Sequence, residues 1–260
     1  MTRFEGCGAL VTGAGQGIGE ATARRLAAEG AGVLVVDREA ERAERVALSI
    51  RQEGGTAAAF TCEVDEREQV GAAVAEAVRV FGGLAVLVNN TYAYHQEPAR
   101  FEEHEDEAWY ADFEGCVHGA FRCVRAAVPH LVAAGGRGAI VNIGSVNAER
   151  HFGGHGYSAA KAALASFTRT LAVDLAPRGV RVNLVEPGTI ATSTWDDRPE
   201  VLRRAATQYP LGRVGTPQDV AGAVAFLASP DAAWITGVTL PVDGGLLVSN
   251  LGLNRAMRAE

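Results

Sequence analysis

Short apolar runs rich in β-branched residues alternate along the chain with longer segments whose apolar positions recur every three or four residues. The short runs are continuously apolar, which is typical of strands covered on both faces. The longer segments have the period of helices with one buried face. Predicted strands lie at 8–12, 33–36, 57–61, 84–88, 139–143, 180–185 and 238–242. Predicted helices lie at 17–30, 38–53, 67–81, 105–134, 157–176 and 217–228, with a short one near 200–207.

This alternation of strands and helices predicts right-handed crossovers between parallel strands. The expected fold class is α/β, with a doubly wound parallel sheet that carries helices on both faces. The sequence contains neither a linker nor an internal repeat, so we expect residues 1–260 to form a single domain. The segment at about 188–216 is irregular apart from the short helix. Irregular segments of this length are usually functional, and we expect a lid-like substrate loop.

Composition and charge exclude several classes of protein. Of the 260 residues, 48% are apolar and 21% are charged, which is typical of a globular chain and not of a disordered one. No apolar run approaches the roughly 18 residues that a membrane-spanning helix needs. The net charge is −7 and the basic residues form no long run. We therefore expect neither a membrane nor nucleic acid as a partner.

The first residues form no hydrophobic signal-peptide segment.

The cysteines and histidines are scattered along the chain. The cysteines lack the paired spacing of metal or redox motifs; they are Cys7, Cys62, Cys116 and Cys123. Free thiols in a reducing, cytoplasmic compartment are therefore expected. Two glycines separate His151 from His155, so a helix would not present both to one metal ion. We expect no metal site.

The first predicted strand ends in a glycine-rich turn, Thr12-Gly13-Ala14-Gly15-Gln16-Gly17-Ile18-Gly19. Glycines let the backbone turn sharply and bring its N–H groups close to a diphosphate. The helix that follows directs its positive end at the same anion. Because the turn follows a strand and opens a helix, it has the context that a dinucleotide site requires. A tight turn without a ligand is the alternative.

An acidic residue, Asp37, follows the second predicted strand, 18 residues after Gly19. A carboxylate at this place can accept hydrogen bonds from the adenosine ribose and repels a 2′-phosphate. It therefore favours NAD(H) over NADP(H). The next residue, Arg38, could bind the 2′-phosphate and keeps NADP(H) open. Alternatively, Asp37 only caps the following helix.

The chain has a single lysine, Lys161, beside 23 arginines. A site that keeps lysine in so arginine-rich a chain indicates a need for a compact ammonium. Tyr157 lies four residues earlier and shares one helix face with it. We expect the ammonium to lower the pKa of the phenol from about 10, which would make it a general acid or base. Ser145 follows a predicted strand at the carboxyl edge of the sheet and could hold the substrate oxygen.

Taken together, these motifs make the chain resemble the short-chain dehydrogenase/reductase family over nearly its whole length. The motifs that carry the resemblance are Thr12-Gly13-x-x-x-Gly17-x-Gly19, Asn89-Asn90, Ser145, Tyr157-x-x-x-Lys161, Pro187-Gly188, Ile235-Thr236-Gly237 and Val242-Asp243-Gly244-Gly245. The resemblance implies a Rossmann-type fold with about seven parallel strands and an oxidoreductase that acts on CH–OH groups. It also implies a homotetramer or homodimer, in which the helices at 105–134 and 157–176 pack against a second copy.

The resemblance further implies roles for individual residues in one dinucleotide-binding catalytic domain. Tyr157 is implied to donate or accept the proton and Ser145 to stabilise the substrate oxygen. Lys161 is implied to bind the nicotinamide ribose and to adjust the pKa of the tyrosine. The implied cofactor contacts are Gly13, Gln16, Gly17, Ile18, Gly19, Asp37, Arg38, Val64, Asn89, Tyr157, Lys161, Gly188, Ile190 and Thr192.

Two positions depart from the family's pattern. Members usually carry Ala-Gly after the paired asparagines, whereas this chain has Thr91 and Tyr92, which would reshape the floor of the pocket. The helix after the fourth strand usually carries an asparagine that holds a water in a proton relay, and Cys116 stands at that place. Cysteine is a weak hydrogen-bonding group, so either the relay takes another route or turnover is slowed. A small buried apolar role is the other interpretation of Cys116.

The substrate side rests on fewer signals. Two loops at the carboxyl edge of the sheet carry aromatic and imidazole groups, and a tryptophan lies on the predicted lid; the candidate substrate residues are Tyr92, His151, His155 and Trp195. An exposed polar loop and a surface-packed tryptophan are the alternatives.

The leading hypothesis is an NAD(H)-dependent oxidoreductase that transfers a hydride between nicotinamide and a small-molecule secondary alcohol or ketone. An NADP(H)-dependent carbonyl or 3-oxoacyl reductase is the alternative that Arg38 keeps open. A cis-dihydrodiol dehydrogenase is a narrower one, suggested by the residues at 91–95 and by Cys116. A catalytically weak dinucleotide-binding sensor or scaffold is the alternative from a different class.

Overall fold

The computed structural model describes residues 2–252 and 257. Within them, seven strands form one parallel sheet. The strands are β1 (Gly8–Thr12), β2 (Gly32–Asp37), β3 (Thr56–Thr61), β4 (Val86–Asn89), β5 (Gly138–Ile143), β6 (Val180–Pro187) and β7 (Thr239–Val242). Their order across the sheet is β3-β2-β1-β4-β5-β6-β7. The predicted Rossmann-type sheet is thereby confirmed.

The helices pack on both faces of this sheet. They are α1 (Gly17–Ala28), α2 (Ala40–Gln52), α3 (Arg67–Phe81), α4 (Asp106–Phe113), α5 (Gly119–Ala133), α6 (His155–Leu175), α7 (Pro199–Ala206) and α8 (Pro217–Ala228). Helices α1, α2 and α8 cover one face, and α3, α5 and α6 cover the other.

Strand β2 shows why the strands are continuously apolar. Val33 and Val35 are buried in the core on the α1 side, whereas Leu34 and Val36 are buried in the core on the α3 side. Successive side chains on a strand point to opposite faces, and here each face has its own layer of helices. Both sets of positions therefore need apolar residues.

The sheet order reverses between β1 and β4, because the chain builds β2 and β3 on one side and then crosses to the other. The carboxyl ends of two neighbouring strands leave a crevice at such a point, and ligands of open α/β sheets bind there. The glycine-rich turn follows β1 and the paired asparagines lie at the end of β4, so both border this crevice.

The main difference from the predicted elements concerns the helix expected at 105–134. It begins at Asp106, and a π-helical turn at Glu114–His118 divides it into α4 and α5. Such turns contain one extra residue and occur often at functional sites. The helix expected at 157–176 begins two residues earlier, at His155, because Gly154 adopts a left-handed conformation (φ +70°) as its N-cap.

The segment at 188–216 is fixed at its base and exposed beyond it. The Tyr209 hydroxyl accepts a hydrogen bond from the backbone N–H of Thr189 (2.6 Å), and Tyr209 is buried. Helix α7 lies farther out, at the surface. This arrangement is compatible with the lid-like loop, which stays a prediction. Among the described residues, none of the helices has the length and apolarity to cross a bilayer.

Candidate active site

The glycine-rich turn is built so that backbone, and not side chains, faces the crevice. Gly13 (φ +58°) and Gly17 (φ +56°) have left-handed backbone conformations that favour glycine. A Cβ atom on Gly19 would lie 2.2 Å from the carbonyl oxygen of Gly13, so helix α1 can approach the turn this closely only with glycine at that position. Asn90 Nδ2 donates to the carbonyl oxygens of Thr12 and Gly13 (3.0 Å each) and ties the turn to β4.

The turn fits the diphosphate of a dinucleotide. Within the described residues, the N-cap of α1, Gln16, makes no side-chain capping bond, so the first N–H groups of the helix remain for an anion. A cavity of about 420 Å³ lies beside the turn and is bounded by Gln16, Gly17 and, from the segment after β6, Thr192. Thr192 Cγ2 would lie 3.3 Å from a Cβ atom on Gly17. These residues come from distant parts of the chain.

Asp37 is part of the turn itself. It is buried at the end of β2, where its Oδ2 accepts a hydrogen bond from the N–H of Gly15 (2.8 Å) and its Oδ1 one from the N–H of Glu39 (3.0 Å). It therefore fixes the glycine-rich turn to the residues that lead into α2, whereas the N-cap of α2 is Glu39 and carries no side-chain capping bond. The Arg38 side chain is 67% exposed, with Nε 3.8 Å from the Glu39 carboxylate.

The other predicted cofactor residues lie at the carboxyl ends of the strands. Val64 follows β3; its side chain is buried and packs against Gly119 on α5. Asn89 is buried at the end of β4, and its Oδ1 has no hydrogen-bond partner among the described residues. Gly188, next to the end of β6, lies against Tyr209, and Ile190 is buried. The orphaned amide oxygen of Asn89 is a group that a bound ligand could satisfy.

A buried chain of polar side chains joins this edge of the sheet to α6. Asn89 Nδ2 donates to Asn142 Oδ1 (2.8 Å), and Asn142 Nδ2 donates to Thr168 Oγ1 (2.9 Å). Sequence analysis did not single out Asn142, although a polar residue inside an apolar strand was a signal for it. The chain fixes β4, β5 and α6 relative to one another and so helps to position the side chains on α6.

The three candidate catalytic residues come from β5 and α6. Ser145 follows β5, where its Oγ donates to Asn147 Oδ1 (3.1 Å). Tyr157 lies in the first turn of α6, and Lys161 follows one turn later. The Lys161 ammonium lies 5.5 Å from the centre of the Tyr157 ring and donates to the carbonyl oxygen of Ile143 (2.7 Å).

The expected lowering of the tyrosine pKa by the lysine is wrong for this arrangement. Burial raises the pKa of Tyr157; a hydrogen bond with Ser145 opposes this, and the nearby Asp112 carboxylate adds to it. Burial lowers the pKa of Lys161, which is only 1% exposed. Lys161 lies one helical turn from Tyr157 as expected, but its ammonium donates to the Ile143 carbonyl oxygen and does not offset the effect of burial on the Tyr157 pKa.

The two departures from the family's pattern have different surroundings. Cys116 is buried in the π-helical turn, and its Sγ donates weakly to the carbonyl oxygen of Ala93 (3.5 Å). Thr91 lies against the glycine-rich turn, where its N–H donates to Thr12 Oγ1 (3.2 Å). Tyr92 is 55% exposed, and its ring meets the ring of Tyr157 edge to face, with centroids 6.3 Å apart. Tyr92 therefore forms a wall beside Tyr157, the candidate catalytic tyrosine.

The remaining candidate substrate residues are less closely grouped. His155, at the start of α6, lies with its Nε2 3.5 Å from the Glu97 carboxylate. His151 is exposed in the loop before α6. Trp195 stacks under the guanidinium of Arg198, 4.9 Å from the ring centre. The contacts found in the described residues thus place Tyr92, and not Trp195, against Tyr157.

Two acidic residues near the site were not predicted from the sequence. Asp112 is buried on α4, and its Oδ1 accepts hydrogen bonds from His95. Glu186 is fully buried near the end of β6, where a Cβ atom on Gly144 would lie 3.0 Å from its Cγ. Burial, with smaller contributions from the negative charges of Glu149 and Asp243, raises the pKa of Glu186 to about 7. Glu186 lies inside the buried run of β6, which was the available signal, whereas Asp112 is the only buried residue of α4 and the sequence pattern carried no signal for it.

The fold brings Ser145, Tyr157 and Lys161 to the sheet edge at which the glycine-rich turn opens. This combination defines a nucleotide-dependent oxidoreductase. The family model described as enoyl-(acyl carrier protein) reductase matches residues 13–247. The chain belongs to this family of short-chain dehydrogenases and reductases, and it is an oxidoreductase that acts on CH–OH groups. Membership implies a nicotinamide dinucleotide as the cofactor.

Several known proteins are similar to the chain over almost its full length. It is 42% identical to the short-chain reductase protein NovJ of Streptomyces niveus, over 91% of this chain and 92% of that protein. It is 39% identical to the 2,5-dichloro-2,5-cyclohexadiene-1,4-diol dehydrogenase LinX of Sphingobium indicum, over 94% and 97%. The crystal structure of a dehydrogenase/reductase from Sinorhizobium meliloti 1021 matches with a TM-score of 0.86 and 40% identity, over 93% and 95%.

Proposed function

We propose that this protein transfers a hydride between NAD(H) and a small-molecule secondary alcohol or ketone, with Tyr157 as the general acid or base. The observation that carries the proposal is the grouping of Ser145, Tyr157 and Lys161 at the sheet edge that also holds the glycine-rich turn. An enzyme needs this grouping for proton transfer, whereas a dinucleotide-binding sensor or scaffold needs only the glycine-rich turn.

Each residue has a distinct task in the proposed reaction. The Ser145 hydroxyl would hold the substrate oxygen, and Tyr157 would take its proton during oxidation or return it during reduction. When bound, the nicotinamide cofactor supplies or accepts the hydride. A phenol has an ordinary pKa of about 10 and burial raises the pKa of Tyr157 further, so this group carries its proton near neutral pH, which suits reduction. Oxidation requires the Lys161 ammonium to stabilise the phenolate in place of its bond to Ile143.

The surroundings of Asp37 support NAD(H) as the cofactor. Its carboxylate is buried at the glycine-rich turn, where a 2′-phosphate would meet an uncompensated negative charge. Arg38 is the residue that supports NADP(H), and its side chain is mostly in solvent. In this proposal the residues that hold the dinucleotide are Gly13, Gln16, Gly17, Ile18, Gly19, Asp37, Val64, Asn89, Gly188, Ile190 and Thr192.

Two further properties belong to the proposal. Large apolar side chains are exposed on the helices that the family pairs between copies: Phe121 on α5 and Val173 on α6 are 45% and 74% exposed. Their exposure supports a homotetramer or homodimer.

The four cysteines are buried free thiols, which is compatible with the predicted cytoplasmic compartment.

Replacing Tyr157 by phenylalanine tests the proposal. The phenylalanine ring keeps the edge-to-face contacts with Tyr92 and Tyr94, so the fold and NADH binding should persist. Loss of the hydroxyl should lower kcat by about 10²- to 10⁴-fold. Turnover is measured with a panel of cyclic ketones and alcohols, and NADH and NADPH are titrated separately by fluorescence.

Tyr94→Phe is the matched control, since the rings of Tyr94 and Tyr157 are only 5.7 Å apart but Tyr94 is 55% exposed. It should keep most of the turnover. Normal turnover by Tyr157→Phe would refute the proposed acid–base role, and tighter binding of NADPH than of NADH would refute the proposed cofactor.

A further inference from the structure

We propose that His95, held in place by the buried Asp112, positions the substrate and selects ring-shaped secondary alcohols that carry a second oxygen substituent. The inference rests on the proposed function, because it assigns a substrate class to the same site. It concerns a pair of residues outside the serine–tyrosine–lysine group.

The Asp112 side chain is nearly inaccessible, with 3% of its surface exposed. Its Oδ1 accepts two hydrogen bonds from a single residue, one from His95 Nδ1 (2.8 Å) and one from the backbone N–H of His95 (3.2 Å). A buried carboxylate is costly unless it is paired. The double contact therefore fixes both the imidazole ring and the loop that carries it.

This contact decides which ring nitrogen is left for a ligand. An ionised carboxylate can only accept hydrogen bonds, so Nδ1 of His95 carries the proton. Nε2 makes no hydrogen bond with the part of the chain that the structure describes, and the side chain is 44% exposed. Nε2 can accept a hydrogen bond from a hydroxyl group, or donate one to a carboxylate oxygen when the ring is protonated.

The pair lies close to the catalytic tyrosine. A Cβ atom on Gly156, the residue before Tyr157, would lie 2.7 Å from Asp112 Oδ2. The ring of Tyr94, the residue before His95, meets the Tyr157 ring edge to face at 5.7 Å. The loop that carries His95 thus packs directly on the catalytic residue, and α4 supports it from behind.

The same loop indicates the shape of the substrate. Tyr92 and Tyr94 each meet the Tyr157 ring edge to face, and each is 55% exposed. Exposed aromatic faces beside a reacting group suit an apolar ring. A ring whose alcohol carbon lies at Tyr157 would leave a second oxygen on its far side for His95 Nε2.

The test separates this role from a structural one through the choice of variant. In His95→Asn, the amide can still donate to Asp112 but has no group at the place of Nε2. His118→Asn is the matched control, because His118 Nδ1 also contacts a carboxylate, that of Glu114 (2.7 Å), on an exposed helix surface. Retained NADH binding would show that each variant is folded.

The probes are cyclohexanol, cyclohexane-1,4-diol and 4-hydroxycyclohexanecarboxylate, each assayed for kcat and KM with saturating NAD. We expect the wild-type chain to prefer one of the two probes with a second oxygen, and the diol and the acid separate a hydroxyl from a carboxylate ligand. His95→Asn should lose about tenfold or more in kcat/KM on the preferred probe, while cyclohexanol stays within about twofold. His118→Asn should change neither value.

An equal loss on all three probes in His95→Asn would show a structural role and overturn the inference. Turnover of cyclohexanol with no gain from a second oxygen would also overturn it, and would leave the proposed hydride transfer intact. Absence of turnover with every probe, and with the corresponding ketones and NADH, would count against both.

Discussion

Replacing Glu186 by glutamine should stabilise the folded chain at pH 8 and change it little at pH 5. Glu186 is fully buried, and both of its carboxylate oxygens lack a hydrogen-bond partner among the described residues. Its pKa is raised, chiefly by burial, from 4.5 to about 7. Glutamine has nearly the same shape and carries no charge, so the substitution removes only the cost of ionisation.

The size and sign of the effect follow from the two pKa values. Each pH unit between them is worth about 1.4 kcal/mol, so an ionised Glu186 costs the folded state about 3 kcal/mol. Because the folded-state pKa is the higher one, the folded state holds its proton longer than the unfolded state does. Stability is therefore lost as the pH rises from about 4.5 to about 7, and the loss is constant above that.

Thermal unfolding of Glu186→Gln and of the wild-type chain at several pH values measures this effect. At about 2 °C per kcal/mol for a chain of this size, the variant should melt about 6 °C above the wild type at pH 8 and only about 2 °C above it at pH 5. Glu149→Gln is the control, since it removes an exposed negative neighbour and should act by less than about 1 kcal/mol. An equal shift at both pH values, or destabilisation at pH 8, would refute the reasoning.

Two further predictions concern the cofactor site and the polar chain beneath it. Asp37→Ser removes the buried charge and the carboxylate that accepts the hydrogen bond from the Gly15 N–H. The Kd for NADH should rise about tenfold, while NADPH should bind more tightly. Unchanged Kd values for both dinucleotides would contradict the role of Asp37. Asn142→Leu leaves Asn89 Nδ2 without its acceptor, whereas the Thr168 hydroxyl keeps its bond to the Leu164 carbonyl oxygen. The free energy of unfolding, measured in urea, should fall by about 2 kcal/mol. Wild-type stability would show that the chain of polar groups is dispensable.

The parts of the fold that depend on local sequence were predictable. Each strand of the sheet was located, because covered strands are continuously apolar and the flanking helices have a clear period. The π-helical turn at Glu114–His118 was not, since one extra residue inside a helix leaves the apolar pattern almost unchanged. The start of α6 was misplaced by two residues, because left-handed Gly154 and not a polar side chain forms its N-cap.

Some residues of the candidate site could likewise be predicted from local sequence, and others could not. Gly13 and Gly17 could be predicted because a turn between a strand and a helix places a local demand on the backbone. The pairing of His95 with Asp112 could not, since the residues are 17 positions apart and meet only when the loop after β4 folds onto α4. The predicted direction of the Tyr157 pKa shift was wrong for a related reason. The helix spacing shows that an ammonium is near the phenol, but it does not show how far the phenol is buried.

The position of the sole lysine affects how the protein can be labelled chemically. Lys161 holds the only ε-amine in the sequence, and it is buried with its Nζ bound to the Ile143 carbonyl. A reagent that acylates side-chain amines therefore finds no lysine on the folded surface. It can react at Lys161 only when α6 parts from the end of β5. Mass-spectrometric acylation rates at this one residue would thus record how often the active site opens, free of any background from other lysines.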